Sequence, residues 1–316
     1  MKNCLCGNSV NDSTLVTDKI RFDRKGKILR CKKCSLIYLD QNSVKFSEEF
    51  YKKEYHQTYL THIEPDALDP KKYFEKMLQV TKIWSDKFNK KLTGKEIILD
   101  VGCSTGHFIK NIESSAKKVF GHELSEKEVN FCKNELNLDV DSIPLEKRFK
   151  KNTFDFITMI FVLEHISDPV NFLGYLKNFL KPNGKFIILV PNVNDALLNF
   201  YNIPDFKNFY YCIEHLFYYS PKTIKNLFSK IGLVGNIEVI QEYPITNHIN
   251  WGFRQKPSDI QKSRRNIPDI LLSDSKLTEE WENLWKNFSN SYKEFLIKNN
   301  FGDRIWCEVA SNNPSK

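Results

Sequence analysis

Residues 95–112, KEIILDVGCSTGHFIKNI, read as a strand, a tight turn and the start of a helix. Ile97, Ile98 and Leu99 form an apolar run of strand length, DVGCSTG follows, and His107 to Ile112 open a helical pattern. A glycine-bearing turn between strand and helix lets backbone N–H groups approach a ligand closely. Gly102 and Gly106 stand in the pattern D-x-G-x-x-x-G, which differs from the dinucleotide fingerprint G-x-G-x-x-G. A second strand, KKVFGHE, ends at Glu123, 17 residues beyond Gly106. A carboxylate at that strand tip can accept both hydroxyls of a ribose.

Downstream, strand and helix signals alternate: helix 106–115, strand 118–123, helix 125–136, strand 139–142, strand 155–161, helix 169–180 and strand 185–190. Ser220-Pro221 open a further helix with Ile224, Leu227, Phe228 and Ile231 at helical spacing, and Gly232 stops it. NIEVIQEY (236–243) and DRIWCEVA (303–310) read as the last two strands. The pattern predicts an α/β, doubly wound, Rossmann-like sheet of seven strands. Residues 244–302 exceed what such a sheet needs and are mostly helical. There Leu277, Trp281, Leu284, Trp285, Phe288, Tyr292, Phe295 and Leu296 share one face, which is expected to pack. An insert at the carboxyl end of an open sheet is expected to serve as a substrate lid. Upstream, residues 71–92 predict one helix, with Phe74, Met77, Val80, Trp84 and Phe88 on its apolar face. The stretch 46–60, with Tyr51, Tyr55, His56 and Tyr59, fits either a packed connector or a flap over a ligand.

These residues resemble motif I and the acidic loop of the class I S-adenosylmethionine-dependent methyltransferases. FDFITMIFVLEHISDP (154–169) resembles strand 4 and its loop in that family, and LKPNGKFIILVPN (180–192) the turn and strand 5. The resemblance implies that Asp100, Gly102, Cys103, Gly106 and Phe161 line the S-adenosyl-L-methionine site and that Glu123 binds its ribose. It places the adenine pocket near Asp141 to Ile143, and His165 beside the substrate.

The chain of 316 residues carries a formal charge of +8, with 41% hydrophobic and 13% aromatic residues. That length suits one large domain with attachments, or two domains. The longest apolar run, FITMIFVL, has strand length, and MKNCLCGNSV lacks the apolar segment of a secretory signal. Both point to a soluble, cytoplasmic protein. Arg254, Lys256, Lys262, Arg264 and Arg265 form a basic cluster that fits a solvated face or a diphosphate site. The aromatic and basic residues make no familiar RNA-binding pattern, so a nucleic-acid partner is not expected.

Of eight cysteines, Cys4, Cys6, Cys31 and Cys34 lie in the first 34 residues as CLC and CKKC. A hairpin between the pairs would bring four thiols to one structural Zn²⁺, although CxC is one residue short of the usual CxxC. Reduced thiols without a metal are the other reading. A closed four-thiolate site has no open position, so no catalytic role follows. The expected organisation is a cysteine-rich zinc-binding module at 1–45, a linker and helix at 46–94 and a cofactor-binding core at 95–243. The helical insert occupies 244–302, and the closing strand and tail 303–316.

Within YYCIEHLFYYS (210–220), Glu214 and His215 stand among aromatic residues. A lone histidine in such a run is more often a satisfied core residue than a base. The cysteine module, the class I core and EHLFYYS after strand 5 together resemble bacterial sugar methyltransferases acting on nucleotide-linked deoxysugars, including C-methyltransferases. That resemblance implies His215 as general base, Glu214 as its neighbour, and Tyr218 or Tyr219 as a wall of the sugar pocket. Asn247, His248 and Trp251 in YPITNHINWGF (243–253) suit sugar hydroxyls and ring stacking, or a local turn. The chain departs from the C-methyltransferases at Ile160 and Phe161, where asparagines are usual, and at the CxC pair. The implied function is methyl transfer to a sugar in surface-polysaccharide or deoxysugar biosynthesis. Alternatives are an O-methyltransferase for a lipid, quinone or secondary metabolite, and, further off, an RNA methyltransferase.

Overall fold

The computed structural model describes residues 4–44, 68–254 and 275–312. The 46–60 linker and all of the basic cluster beyond Arg254 lie outside the described residues. The strands in chain order are β1 (Ser13–Ile20), β2 (Arg24–Cys31), β3 (Ile37–Leu39), β4 (Ile97–Val101), β5 (Lys118–His122), β6 (Val140–Asp141), β7 (Phe154–Ile160), β8 (Leu180–Pro191), β9 (Phe217–Tyr218), β10 (Leu233–Ile240) and β11 (Arg304–Ser311). The helices are α1 (Pro70–Val80), α2 (Lys82–Asn89), α3 (His107–Ile112), α4 (Glu126–Asn134), α5 (Leu145–Arg148), α6 (Pro169–Lys177), α7 (Ala196–Asn199), α8 (Pro204–Tyr210), α9 (Pro221–Lys230), α10 (Ile245–Arg254) and α11 (Ser275–Lys298). The expected seven-stranded sheet is present, in the order β10-β11-β8-β7-β4-β5-β6. β4 pairs in parallel with β5 and β7, β5 with β6, and β7 with β8. Parallel neighbours buried on both faces explain the continuous apolar runs, such as Phe186 to Val190, all 0% exposed.

The chain forms two compact units. One takes in Lys45–Leu189, Phe228–Asn236 and Cys307–Lys316. Helices α1 and α2 are where a single helix was expected, and the break at Thr81 is set by a side chain from α3. Asn111 donates its amide to the Leu78 carbonyl (2.9 Å) and the Thr81 hydroxyl (3.1 Å), while Thr81 Oγ1 donates back to Met77 O at 2.8 Å. A carbonyl drawn off by a side chain weakens the helix ladder there, and threonine back-bonding bends helices. The bend still buries Phe74, Trp84 and Phe88. Phe88 stacks on Phe108 at 6.2 Å and meets the edge of Phe156 at 5.2 Å. Helix α6 ends at Lys177, short of the expected 180, because β8 already starts at Leu180.

The other unit takes in Met1–Val44, Val190–Leu227 and Ile237–Trp306. Its four-stranded sheet runs β1-β2-β3-β9. The β1–β2 hairpin turns through Phe22 and Asp23, both at positive φ (64° and 54°). The fourth strand comes from the aromatic stretch at 210–220. Ile37 pairs with Tyr218 and Tyr38 with Phe217, antiparallel, and Leu39 N–H donates to Leu216 O at 3.0 Å. Helix α9 begins with a reciprocal cap: Thr223 N–H donates to Ser220 Oγ (3.3 Å) and Ser220 N–H to Thr223 Oγ1 (2.8 Å).

Strand β10 spans Leu233–Ile240 where 236–243 was expected. The reason is Asp303, whose carboxylate accepts from Glu242 N–H at 3.0 Å and from Tyr243 N–H at 2.9 Å. Amides turned to a carboxylate cannot continue a ladder. Gly302 permits this approach, since a Cβ there would lie 2.4 Å from Ile240 O. The described residues of the insert form α10 and α11, but the apolar face of α11 is not packed throughout. Leu277, Leu284, Phe288 and Phe295 are exposed, whereas the C-terminal half is anchored through buried Leu296, a Tyr292 bond to His248 and Lys293 donating to Glu242 O (3.0 Å).

Truncating the fully buried Phe88 leaves a ring-sized void among Phe108 and Phe156. Phe88→Ala is expected to lower unfolding stability by about 3–5 kcal/mol, read as a fall in the urea midpoint at unchanged slope.

Candidate active site

β4 delivers Asp100 to its carboxyl end, with the side chain 2% exposed. Burial pushes the Asp100 carboxyl up to about 7, opposed by a hydroxyl bond from Thr158 and reinforced by the Glu123 charge. Gly102 follows at φ 68° and donates its N–H to His122 O at 2.8 Å. A Cβ on Gly102 would strike Val162 Cγ2 at 2.6 Å, so conformation and space both call for glycine. Ser104 takes φ 49°, Gly106 takes φ 74°, and Gly106 N–H closes the turn on Cys103 O at 2.9 Å. Cys103 is buried, and its sulfur fills the place that a Cβ on Gly121 would need.

Glu123 follows β5. Its Oε2 accepts from Ser104 N–H (2.9 Å), and its Oε1 from Leu124 N–H (2.7 Å) and Ser125 N–H (2.9 Å). A carboxylate has about four acceptor positions, so room remains for a ribose hydroxyl. Phe161, just past β7, sits at φ 58°, an uncommon conformation for a bulky residue, and its ring meets Trp84 edge-on at 5.0 Å. His165 ends a 3₁₀ turn, Leu163–His165, and is half-buried. Asp141, near the expected adenine pocket, is held below the usual carboxylate range, chiefly by Lys133 at 2.8 Å. His107 serves the fold: burial pulls it down to about 4, and its Nδ1 pairs with Thr105 Oγ1 at 3.1 Å.

Asp100, Gly102, Cys103, Gly106 and Glu123 therefore come together at one turn. Sequence reasoning missed Glu128 and Thr158. Glu128 is 5% exposed and accepts the Ser104 hydroxyl at 3.0 Å, and burial with the Glu123 charge pushes it up to about 8. Its signal was its place four residues before Cys132, on the buried face of α4. Buried carboxylates raised toward neutrality, a strand-tip glutamate and a positive-φ glycine turn fit a ligand carrying cationic groups and a ribose, which S-adenosylmethionine is.

In the other unit, Glu214 and His215 sit between α8 and β9. Arg21, from the β1–β2 turn, donates its main-chain N–H to Tyr211 O (2.7 Å) and its Nε to Phe209 O (2.5 Å), and lies over the Phe209 ring. Burial pushes the Glu214 carboxyl up to about 9. Burial, with the charges of Arg21 and Arg304, pulls His215 down to about 3. At neutral pH Glu214 is thus protonated and His215 is an uncharged imidazole. Tyr218 and Tyr219, one or the other expected as a wall of a sugar pocket, follow in and after β9. Tyr218 is 2% exposed, and its hydroxyl accepts from Cys212 N–H and donates to Cys212 O, both at 2.9 Å. That hydroxyl thus donates to and accepts from the main chain of one residue, Cys212, which braces the turn carrying Glu214 and His215. Tyr219 is also buried, and its carbonyl accepts from Val193 N–H at 2.8 Å.

Asn247 and His248 lie on α10 and are buried. His248 Nδ1 meets Tyr292 Oη at 2.5 Å, and Tyr292 Oη meets Tyr201 Oη at 3.0 Å. His248 Nε2 meets Gln241 Nε2 at 3.4 Å, and Gln241 donates to Asp303 Oδ2 at 3.2 Å. The chain of contacts fixes His248 within the insert. Burial pulls it down to about 3.

The four N-terminal sulfurs converge. Cys4 and Cys34 sulfurs are 3.5 Å apart, those of Cys6 and Cys31 3.6 Å, and all four lie within 4.8 Å of one another. Four thiolates at the Zn–S distance of about 2.3 Å stand roughly 3.8 Å apart in a tetrahedron, so the quartet fits such an ion. The short CxC works because Gly7, at φ 83°, turns the chain and donates to Cys4 O at 2.7 Å. On the other side, Ser35 at φ 65° closes the CKKC turn on Cys31 O at 2.9 Å. Burial raises the Cys31 thiol, but the Cys34 and Lys33 amides outweigh it and bring it down to about 7.

Among described residues, no helix is long and apolar enough to cross a membrane. Comparison with known proteins completes the assignment. A ubiquinone biosynthesis O-methyltransferase of Pasteurella multocida is 30% identical over 122 residues, covering 34% of this chain and 49% of that protein. A tRNA U34 carboxymethyltransferase of Nautilia profundicola is 28% identical over 197 residues, covering 55% of this chain and 62% of that protein. The chain thus spans about half to three fifths of the curated relatives it matches. A crystal structure of an S-adenosylmethionine-dependent methyltransferase from Archaeoglobus fulgidus aligns with a TM-score of 0.47 at 19% identity, over 74% of this chain and 93% of that one. The family model described as a methyltransferase domain matches residues 71–238, more than half of the 316 residues. The chain belongs to that methyltransferase-domain family.

Proposed function

We propose that the enzyme methylates a sugar, nucleotide-linked, in bacterial surface-polysaccharide or deoxysugar biosynthesis, with His215 as general base and Glu214 as its neighbour. The reading draws on the resemblance of EHLFYYS to the sugar methyltransferases. The observation that carries it is the fixed placement of Glu214 and His215 on a turn that Tyr218 braces through Cys212 and Arg21 holds through the Tyr211 carbonyl. S-adenosylmethionine, when bound, supplies a methyl group on a sulfonium leaving group. The protein then has to align a nucleophile and remove one proton from it. For C-methylation, His215 takes the proton α to a ketone; for O-methylation, it takes a hydroxyl proton. Glu214, protonated at neutral pH, leaves the imidazole without a fixed anion beside it. In this reading His165, Tyr218 or Tyr219, Asn247 and His248 are substrate-side residues, and 244–302 is the substrate-side insert. A second reading, O-methylation of a quinone-like molecule, draws on the name of the Pasteurella relative.

We assign Asp100, Gly102, Cys103, Gly106, Glu123 and Phe161 to the cofactor, and Cys4, Cys6, Cys31 and Cys34 to one structural Zn²⁺ in the 1–45 module. The metal takes no part in a catalytic step.

The deciding experiment offers nucleotide-sugars with and without a keto group, beside a hydroxylated quinone, and follows methyl gain by mass spectrometry. A methylated sugar product is expected; methylation of the quinone alone would overturn the sugar reading. On the accepted substrate, His215→Ala is expected to cut turnover roughly 10²–10⁴-fold with cofactor affinity intact, and unchanged turnover would remove His215 as base. Asp100 has its folded value raised to about 7, so its carboxyl is neutral below that pH and its stability contribution is lost as pH rises through it. A cationic ligand favours the ionised form, so S-adenosylmethionine affinity should increase from pH 6 to 8, and Asp100→Asn should flatten that profile. Metal analysis of protein purified without chelator should find about one zinc per chain, and Cys31→Ser should lower that content.

A further inference from the structure

Ser104 is the one member of the DVGCSTG turn that adopts a left-handed conformation without being glycine. A side chain holds that conformation only where its surroundings determine it from several directions. Three groups do so here. The Ser104 N–H donates to Glu123 Oε2 at 2.9 Å, its hydroxyl donates to Glu128 Oε1 at 3.0 Å, and its carbonyl accepts from Cys132 Sγ at 3.4 Å. Glu128 and Cys132 are four residues apart on α4, so they project from one face of that helix onto the same residue. Glu128 lies almost fully out of water, an uncommon place for a glutamate that anchors nothing.

We propose that Glu128 is a positioning residue for the cofactor site, fixing the Ser104 turn and through it the orientation of the Glu123 carboxylate. One end of the relay is the Ser104 hydroxyl on Glu128. The other is the Ser104 N–H on the Glu123 oxygen, whose partner oxygen is held by the Leu124 and Ser125 amides. Without Glu128, the serine loses the bond that sets its hydroxyl, and the N–H that orients Glu123 is free to turn away. Burial and the neighbouring Glu123 charge push Glu128 toward its neutral acid form, which eases the placing of two glutamates against one residue. Cys132 gains from the same arrangement, since an ionised Glu128 would face its sulfur as well. The proposal rests on the reading of Glu123 and the glycine turn as the cofactor site.

The test measures S-adenosylhomocysteine binding by calorimetry on the full chain, so that no methyl-accepting substrate is needed. Glu128→Ala is expected to weaken binding roughly tenfold. Glu128→Gln keeps an acceptor in a neutral group and is expected to restore affinity to within about twofold of wild type. Ser104→Ala should weaken binding by a similar factor, and adding it to Glu128→Ala should cost little more, because the two substitutions break one bond. Circular dichroism and melting temperature identify any variant that has failed to fold, and the Ser104→Ala arm leaves Glu128 in place in that event. Wild-type affinity in folded Glu128→Ala, or full additivity in the double variant, would overturn the proposal. Glu123→Ala separates the two levels: if it too binds normally, the cofactor-site reading fails, and if it alone weakens binding, the role of Glu128 fails.

Discussion

A carboxylate taken out of water loses several kcal/mol of hydration unless hydrogen bonds or an opposite charge replace it. Both units of this chain are arranged around that cost. At the DVGCSTG turn, Asp100 leans on the Thr158 hydroxyl and Glu128 on that of Ser104, and burial raises both toward neutrality. Glu123 is treated differently, with three backbone N–H donors around it. In the other unit, Asp303 gathers the amides of Glu242 and Tyr243 and the side chain of Gln241. Asp195, raised to about 7 by burial and the Asp303 charge, caps α7 through Leu197 N–H at 2.7 Å. Glu123, Asp303 and Asp195 fix the backbone through its N–H groups, whereas Asp100 and Glu128 hold hydroxyls beside it.

The parts legible in the sequence were those set by local periodicity. The strand–turn–helix at 95–112 is local, and the observed β4, its turn and α3 follow the expected order because apolar spacing and two glycines determine it. The cysteine pairs needed a hairpin, and β1 and β2 form one. The misread boundaries came from side chains distant in sequence. Thr81 breaks a helix because of Asn111, 30 residues on, and Asp303 ends β10 from 60 residues away. No window of neighbouring residues carries that information.

The site was legible in the same uneven way. Asp100, Gly102, Cys103, Gly106 and Glu123 meet at one turn as the motif required. Glu128 was hidden because acids in a first helical turn usually face solvent and favour the helix dipole. Tyr218 shows another limit: its aromatic neighbours suggested a pocket wall, and nothing in the sequence indicated that its hydroxyl binds Cys212. Composition cannot separate a ring that lines a pocket from a ring that braces a turn; the partner of its hydroxyl does.

The pairing of β9 with β3 changes what the N-terminal segment is. A cysteine-rich stretch at a chain end looks like a cassette that can be added or removed without disturbing its host. Here its last strand supplies the hydrogen-bonding partner for Phe217 and Tyr218, and its hairpin turn supplies Arg21 to the carbonyls of Phe209 and Tyr211. Cutting the chain before the catalytic family match at residue 71 would leave those main-chain groups as an open strand edge flanked by exposed aromatics, a surface prone to self-association. The segment and the aromatic stretch are therefore one folding unit divided by sequence. Substitutions on either side of that seam would have to be compatible with the other.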